Sequence, residues 1–293
     1  MQTTQTNTVL IPLDFSDIAM NALDHAITVA KHFNNNLALL YVIEEAFLGG
    51  LLGRNEKQIE MLKEAANIRL VKLVEEIKTT HNIDCTIVIR TGKIYNVIAS
   101  VVEELKCDSV IMGSHGASGL GQILGSNSSR TIIHSKVPVI VVKSAQKTNL
   151  YKNIVFPIDL SLESRQKVKW AIHLGKSYGS VIRLFSFKAN DEIADAKIEG
   201  ALHQVKNILD ENNIEYTTHI VSKLDGNFAE ETVKYAESID ADMLMIMTRT
   251  EDKDFSEMVF GTYAQQIVNT SRTIPVMCIN PNKTGMVSGN ARY

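Results

Sequence analysis

The sequence predicts an α/β protein with two tandem domains, each a doubly wound parallel sheet of five strands with helices on both faces. The first observation behind this prediction is an internal repeat, in which residues 8–16 read TVLIPLDFS and residues 153–161 read NIVFPIDLS. The second is that strand-like apolar runs alternate with helix-spaced apolar residues in both halves. That order is typical of parallel strands joined by right-handed crossover helices.

The repeat also predicts the domain boundaries. Asp159 follows Asp14 by 145 residues, and similar apolar runs close the two copies at residues 137–142 (VPVIVV) and 274–279 (IPVMCI). A polar stretch at residues 144–150 separates the copies as a linker. We therefore expect one domain at residues 1–147 and a second at residues 148–293.

The predicted strands are nearly continuous in apolar residues, as expected for parallel strands that are covered on both faces. In the first copy they are residues 9–13, 37–43, 85–90, 109–113 and 137–142. In the second copy they are residues 154–158, 181–187, 216–221, 243–247 and 275–279.

The predicted helices show the longer period. The first helix has apolar residues from Ala19 to Phe33 at steps of three and four, and its counterpart has them from Val168 to Tyr178. Further helices of the first copy are expected at residues 59–77, 94–105 and 126–134.

Composition and charge exclude several classes of function. The chain has 293 residues, of which 45% are hydrophobic, and its 30 basic and 33 acidic residues give a net charge of -3. A binder of nucleic acid would show a basic excess, so that partner is not expected. The three cysteines form no CxxC pair, and no apolar stretch is long enough to cross a membrane. We expect a cytoplasmic protein with no membrane partner.

A glycine-rich loop follows the fourth strand, where a doubly wound sheet binds its ligands. Five of the sixteen glycines lie within residues 112–127, and Gly125-Ser126-Asn127 leads into a helix whose free N–H groups favour an anion. One reading is a phosphate cradle. The other is a plain connection to a helix that Ser126 or Asn127 caps. The loop lacks a Walker lysine and the acidic ribose partner of a dinucleotide site.

Together these motifs resemble the universal stress protein family. The resemblance rests on the VLIPLDFS start, the MGSHGASGLG loop, the GSNS step and the VPVIVV strand, and it covers both copies. It implies a tandem member of that family with Rossmann-like domains and strand order 3-2-1-4-5. The glycine loop is one residue shorter than the usual family pattern, because eight residues separate Gly116 from Gly125.

The resemblance also implies a site for ATP or a related adenine nucleotide, with Mg²⁺ as its candidate counter-ion. Family members that bind ATP hold the base, ribose and phosphates at positions that correspond here to Pro12, Leu13, Asp14, Val42, Met112, Gly113, Gly116, Gly125, Ser126 and Asn127. An ionised Asp14 would accept hydrogen bonds from a ribose hydroxyl or the adenine amine. Its alternative role is to cap the first helix.

The second copy departs from this pattern. We aligned Thr248 and Glu251 with the first two loop glycines, and acidic residues follow them, so we expect this copy to have lost the nucleotide site. The resemblance implies that the domains associate through residues 137–142 and 275–279, and a homodimer is expected.

Two other functions stay open. The chain could be an interaction module that binds no nucleotide and contacts an unknown protein through residues 47–52. It could also hydrolyse nucleotide through His115, although no catalytic constellation is visible and any ATP hydrolysis should be slow.

Overall fold

A computed structural model describes residues 7–44, 56–114, 124–145, 151–161, 163–248 and 261–281. The chain divides into two compact units, Met1–Gln146 and Lys147–Tyr293. Both units are doubly wound α/β structures with parallel strands, as the sequence predicted. Among the described helices, none has the length and apolar character needed to cross a bilayer.

In the first unit, the strands lie in the order β3-β2-β1-β4-β5, which is the predicted order. Their bounds are β1 Thr8–Pro12, β2 Asn36–Ile43, β3 Cys85–Thr91, β4 Ser109–Gly113 and β5 Val139–Val142. The helices are α1 Asp17–Phe33, α2 Glu56–His81, α3 Ile94–Glu104 and α4 Ser126–His134.

The second unit repeats this topology in the order β8-β7-β6-β9-β10. Its strands are β6 Asn153–Pro157, β7 Val181–Phe187, β8 Tyr216–Val221, β9 Met243–Met247 and β10 Val276–Ile279. Its helices are α5 Val168–Tyr178, α6 Glu192–Glu211, α7 Phe228–Ser238 and α8 Thr262–Thr270.

Small differences from the predicted bounds have local causes. Strand β5 begins at Val139 rather than at residue 137, because Pro138 lacks an N–H and contributes only its carbonyl, which accepts from Val110 N. Helix α2 extends beyond the predicted residues 59–77 at both ends. Only Ala66, Leu70 and Ile77 of α2 are buried. The spacing of apolar residues therefore predicted the middle of the helix but not its polar ends.

The strands of both sheets form the cores. Val9, Leu10 and Ile11 of β1 are fully buried, and so are Ile154, Val155 and Phe156 of β6. Because both faces of each sheet are covered, the polar groups that remain accessible concentrate at the strand ends. The carboxyl ends of β1 and β4 therefore become the natural place for a ligand.

Candidate functional site

An open cavity of about 90 Å³ lies at the carboxyl ends of β1, β2 and β4 in the first unit. Most of the site residues expected from the sequence line it, namely Pro12, Leu13, Asp14, Val42, Met112, Gly113 and Asn127. The lining also includes residues that the sequence did not single out, namely Ala19, Leu40, Ile94 and Ser128. Gly125 and Ser126 lie at the start of α4, and Gly116 is outside the described residues.

Asp14 organises the turn between β1 and α1. Its Oδ1 accepts hydrogen bonds from Ser16 N at 3.0 Å and from Ser16 Oγ at 2.6 Å. Ser16 in turn is the N-cap of α1, since its Oγ accepts from Ala19 N. The capping role that we considered for Asp14 thus belongs to Ser16, and Asp14 holds that serine in place.

Phe15, the next residue, has a left-handed backbone with φ of 62°. A residue with a Cβ adopts this conformation at a cost of roughly 1–3 kcal/mol, so surrounding contacts must hold it. Its ring centroid lies 5.4 Å from that of Tyr41 on β2 and 3.8 Å from the Arg69 guanidinium of α2. Tyr41 and Arg69 therefore anchor the turn that carries Asp14.

The start of α4 has the features of an anion site. Gly125 is the N-cap and supplies no side-chain oxygen, so the alternative in which Ser126 or Asn127 caps the helix is wrong. The Asn127 side chain instead donates to Glu44 Oε1 at 3.2 Å. The first N–H groups of α4 thus lack a side-chain cap, and the helix dipole favours negative charge beside them.

Gly113 is required at the end of β4 because α1 approaches it closely. A Cβ built on Gly113 would lie 2.6 Å from Ile18 Cγ2 and 3.3 Å from the Ile18 carbonyl carbon. Any side chain at this position would push the first turn of α1 away from the sheet. Gly113 therefore lets α1 pack closely against the end of β4, where both line the cavity.

At the corresponding strand ends of the second unit, the described residues line a cavity of only about 10 Å³. Strand register defines the correspondence, since Val9 lies opposite Ser109 and Ile154 lies opposite Met243. Four residues further on, Gly113 corresponds to Met247. Our alignment of Thr248 with Gly113 was therefore wrong by one residue, because the two copies differ in length between their anchors.

The Lys167 side chain occupies the narrowed space of the second unit. It is 1% exposed, and its Nζ donates to the carbonyl oxygens of Pro157, at 2.7 Å, and Ser164. The ammonium also lies 4.1 Å from the ring centroid of Phe156. Burial lowers the pKa of Lys167 to about 7, and the nearby Asp159 carboxylate opposes that shift.

Tyr263 takes the place of Asn127. Each is the second residue of its helix, and each helix has a glycine as its N-cap. The two glycines make equivalent hydrogen bonds, because Gly261 N donates to Thr248 O and Gly125 N donates to Ser114 O. The Tyr263 hydroxyl lies 3.3 Å from that of Thr232, and burial raises its pKa well above the usual value. A large neutral ring thus stands where the first unit has a small amide.

Comparison with known proteins agrees with this duplicated architecture. A profile described as "Universal stress protein family" matches residues 5–143 and again residues 150–280. The chain belongs to the universal stress protein family. It is a tandem member, because the two matches together span most of its length.

Individual universal stress proteins resemble one half of the chain. Universal stress protein MJ0531 of Methanocaldococcus jannaschii is 32% identical over 142 residues, which are 47% of this chain and 83% of that protein. Universal stress protein MJ0577 of the same organism is 33% identical over 155 residues, 46% of this chain and 93% of that one. A solved universal stress protein from Archaeoglobus fulgidus, 21% identical, covers 95% of this chain and 97% of its own with a TM-score of 0.74, which supports the fold.

Other candidates in this universal stress protein have ordinary structural roles. The Arg130 guanidinium lies 5.4 Å from the Tyr95 ring centroid. Burial raises the pKa of Cys85 and of Cys107 to about 11, so both thiols are protonated at neutral pH. His115 and residues 47–52 lie outside the described residues. In the described part of the chain, no cluster of three or more His, Cys, Asp or Glu residues is suited to a metal ion.

Proposed function

We propose that the first unit binds ATP or a related adenine nucleotide, and that the bound state acts as the signal of a stress-response switch. The observation that carries the proposal is the contrast between equivalent positions. Both units have a helix N-terminus without a side-chain cap at these strand ends, but the cavity beside it is about 90 Å³ in the first unit and about 10 Å³ among the described residues of the second. One nucleotide should therefore bind per chain.

The chemistry of the lining supports this class of ligand. Pro12, Val42 and Met112 offer apolar surface to a base, and the exposed Asp14 carboxylate accepts hydrogen bonds from ribose hydroxyls or the adenine amine. The N–H groups at the start of α4, around Gly125, Ser126 and Asn127, favour phosphate oxygens. Gly116 would add a backbone contact to the same phosphates.

We propose binding rather than turnover as the working activity. Asp14 is the one ionisable side chain among the described residues that line the cavity, and any ATP hydrolysis is expected to be slow. Mg²⁺ would be held by the phosphates themselves. Within this proposal the protein acts in the cytoplasm as a homodimer. Sedimentation of the purified protein tests the oligomeric state directly.

A direct experiment combines nucleotide analysis with one cavity-filling variant. Purified protein is denatured, the released ligand is separated by chromatography, and the ligand-free protein is titrated with ATP, ADP and AMP in a calorimeter. Asn127→Tyr installs the ring that fills the second unit and should abolish binding. Gln265→Tyr, an exposed position of α8, adds the same ring elsewhere and should leave one site per chain.

A protein-interaction module is the second candidate, and one observation favours it. On α2, Met61 is 70% exposed and Ile68 is 67% exposed, and the two lie about two turns apart, which leaves apolar surface that a partner could cover. If the unmodified protein binds no adenine nucleotide with or without Mg²⁺, the nucleotide proposal fails and this alternative takes its place.

A further inference from the structure

The second unit contains a buried lysine amino group that contacts several polar and aromatic partners. Lys167 Nζ donates to Pro157 O and Ser164 O and lies over the face of Phe156. Burying an ammonium is costly, and here two carbonyl dipoles, an aromatic face and the Asp159 carboxylate offset part of that cost. These groups surround Lys167 as they would surround a bound alkylammonium.

The repeat shows what the lysine replaces. At the offset of 145 residues that relates Asp14 to Asp159, Lys167 corresponds to Ala22, a buried residue of α1. The hydrogen bonds of the preceding turn are the same, because Asp159 Oδ1 also accepts from the N and Oγ of Ser161. The backbones of the two turns differ at the residue between Asp and Ser, since Phe15 has a positive φ and Leu160 is not among the described residues that do.

The divergence follows from the end of the neighbouring strand. Met247 of β9 has a side chain where Gly113 has none, and a Cβ at Gly113 would clash with the first turn of α1. In the second unit that turn is not α-helical. Glu163–Arg165 form a 3₁₀ turn, and α5 starts only at Val168. The Ser164 carbonyl consequently lies before α5, where it accepts from Lys167.

We propose that Lys167 is a built-in ligand of the second unit, whose alkylammonium fills the strand-end cavity and ties the Pro157 and Ser164 carbonyls together without any bound molecule. The second unit is then permanently closed at this place. Met247 and Tyr263 fill the remainder of the space, so removing the lysine alone does not recreate the lining of the first unit. The residue-sized vacancy that such a removal leaves should bind small primary ammonium ions.

The test is chemical rescue. Lys167→Ala removes Cγ, Cδ, Cε and Nζ, which together have the size and charge of n-propylammonium. We expect Lys167→Ala to have a lower Tm than the unmodified protein and to regain much of the loss, saturably, as n-propylammonium chloride is added. Sodium chloride and tetramethylammonium chloride at equal ionic strength should not restore it, since neither supplies N–H donors on a propyl chain.

Two further variants make the result decisive. Lys169→Ala removes a partly exposed lysine from the first turn of α5, two residues after Lys167, and should not respond to n-propylammonium. Lys167→Met keeps the buried chain but removes the ammonium, so it should fold and also show no rescue. If Lys167→Ala does not fold alone, refolding in n-propylammonium is measured instead, and recovery of the folded protein supports the proposal.

The proposal is overturned if n-propylammonium stabilises Lys167→Ala no more than it stabilises the unmodified protein and Lys169→Ala. It is also overturned if Lys167→Ala is as stable as the unmodified protein, because a built-in ligand cannot be removed without effect. Neither result depends on nucleotide, so this inference and the proposed function can fail separately.

Discussion

The guanidinium of Arg69 lies 3.8 Å from the ring centroid of Phe15, which joins the long helix α2 to the turn that follows β1. Phe15 needs such a contact because its backbone is left-handed. Leu160, the counterpart of Phe15, is not among the described residues with positive φ. The strained turn therefore belongs to the unit that keeps an open cavity.

Replacing Arg69 should weaken nucleotide binding without touching the cavity lining. A cation–π contact at an exposed site contributes about 0.5–1 kcal/mol, so Arg69→Ala should raise the Kd for the nucleotide about two- to fivefold. Titration calorimetry measures the change. Lys72→Ala, an exposed change one turn further along α2, is the control. Equal affinities for both variants would mean that the Phe15 turn holds its shape without Arg69.

Adding a methyl group at Gly113 should destabilise the first unit. The new Cβ would lie 2.6 Å from Ile18 Cγ2, and overpacking of this kind costs about 1–3 kcal/mol of the free energy of unfolding. Gly200→Ala is a matched control, since nothing lies within 4 Å of a Cβ at that position of α6. It should stabilise the protein by roughly 0.5–1 kcal/mol. Urea unfolding of both variants decides the matter, and similar effects would refute the close approach.

Lys167 should make the free energy of unfolding depend on pH. The folded lysine has a pKa of about 7 against an ordinary value of 10.5, so between these values the unfolded chain binds more protons than the folded one. Unfolding is therefore increasingly disfavoured as pH rises through this window, by a total of a few kcal/mol. Tyr263, which lines the same space, stays neutral across the window because burial raises its pKa well above the usual value.

The comparison with Lys167→Met isolates that contribution. Buried thiols such as Cys107 have raised pKa values that lower stability at alkaline pH, but they act equally in both proteins. The difference in unfolding free energy between unmodified protein and Lys167→Met should rise between about pH 7 and pH 10. Parallel pH profiles would show that Lys167 titrates normally in the folded state.

Much of the candidate site could be predicted because the chain is duplicated and its strands are strongly apolar. The position of Asp14 after β1 and of Gly113 at the end of β4 placed both at the same edge of a parallel sheet. The exact partner of Gly113 in the second copy could not be predicted, since the copies differ in length and only hydrogen-bond register pairs Ile154 with Met243. The alignment from sequence therefore paired Gly113 with Thr248, one residue after its true counterpart Met247.

The sequence by itself determined the family, the duplication, the strand order and the strand ends at which a ligand would bind. The duplication and the strand ends follow from local apolar patterns and short motifs repeated along the chain, and the strand order is what the resemblance to the family implies. Only the tertiary structure decided that the two strand ends differ in volume, because it brings Lys167, Met247 and Tyr263 into one space. A lysine at the start of a helix is expected to reach solvent, and the burial of Lys167 depends on distant residues that local sequence does not encode.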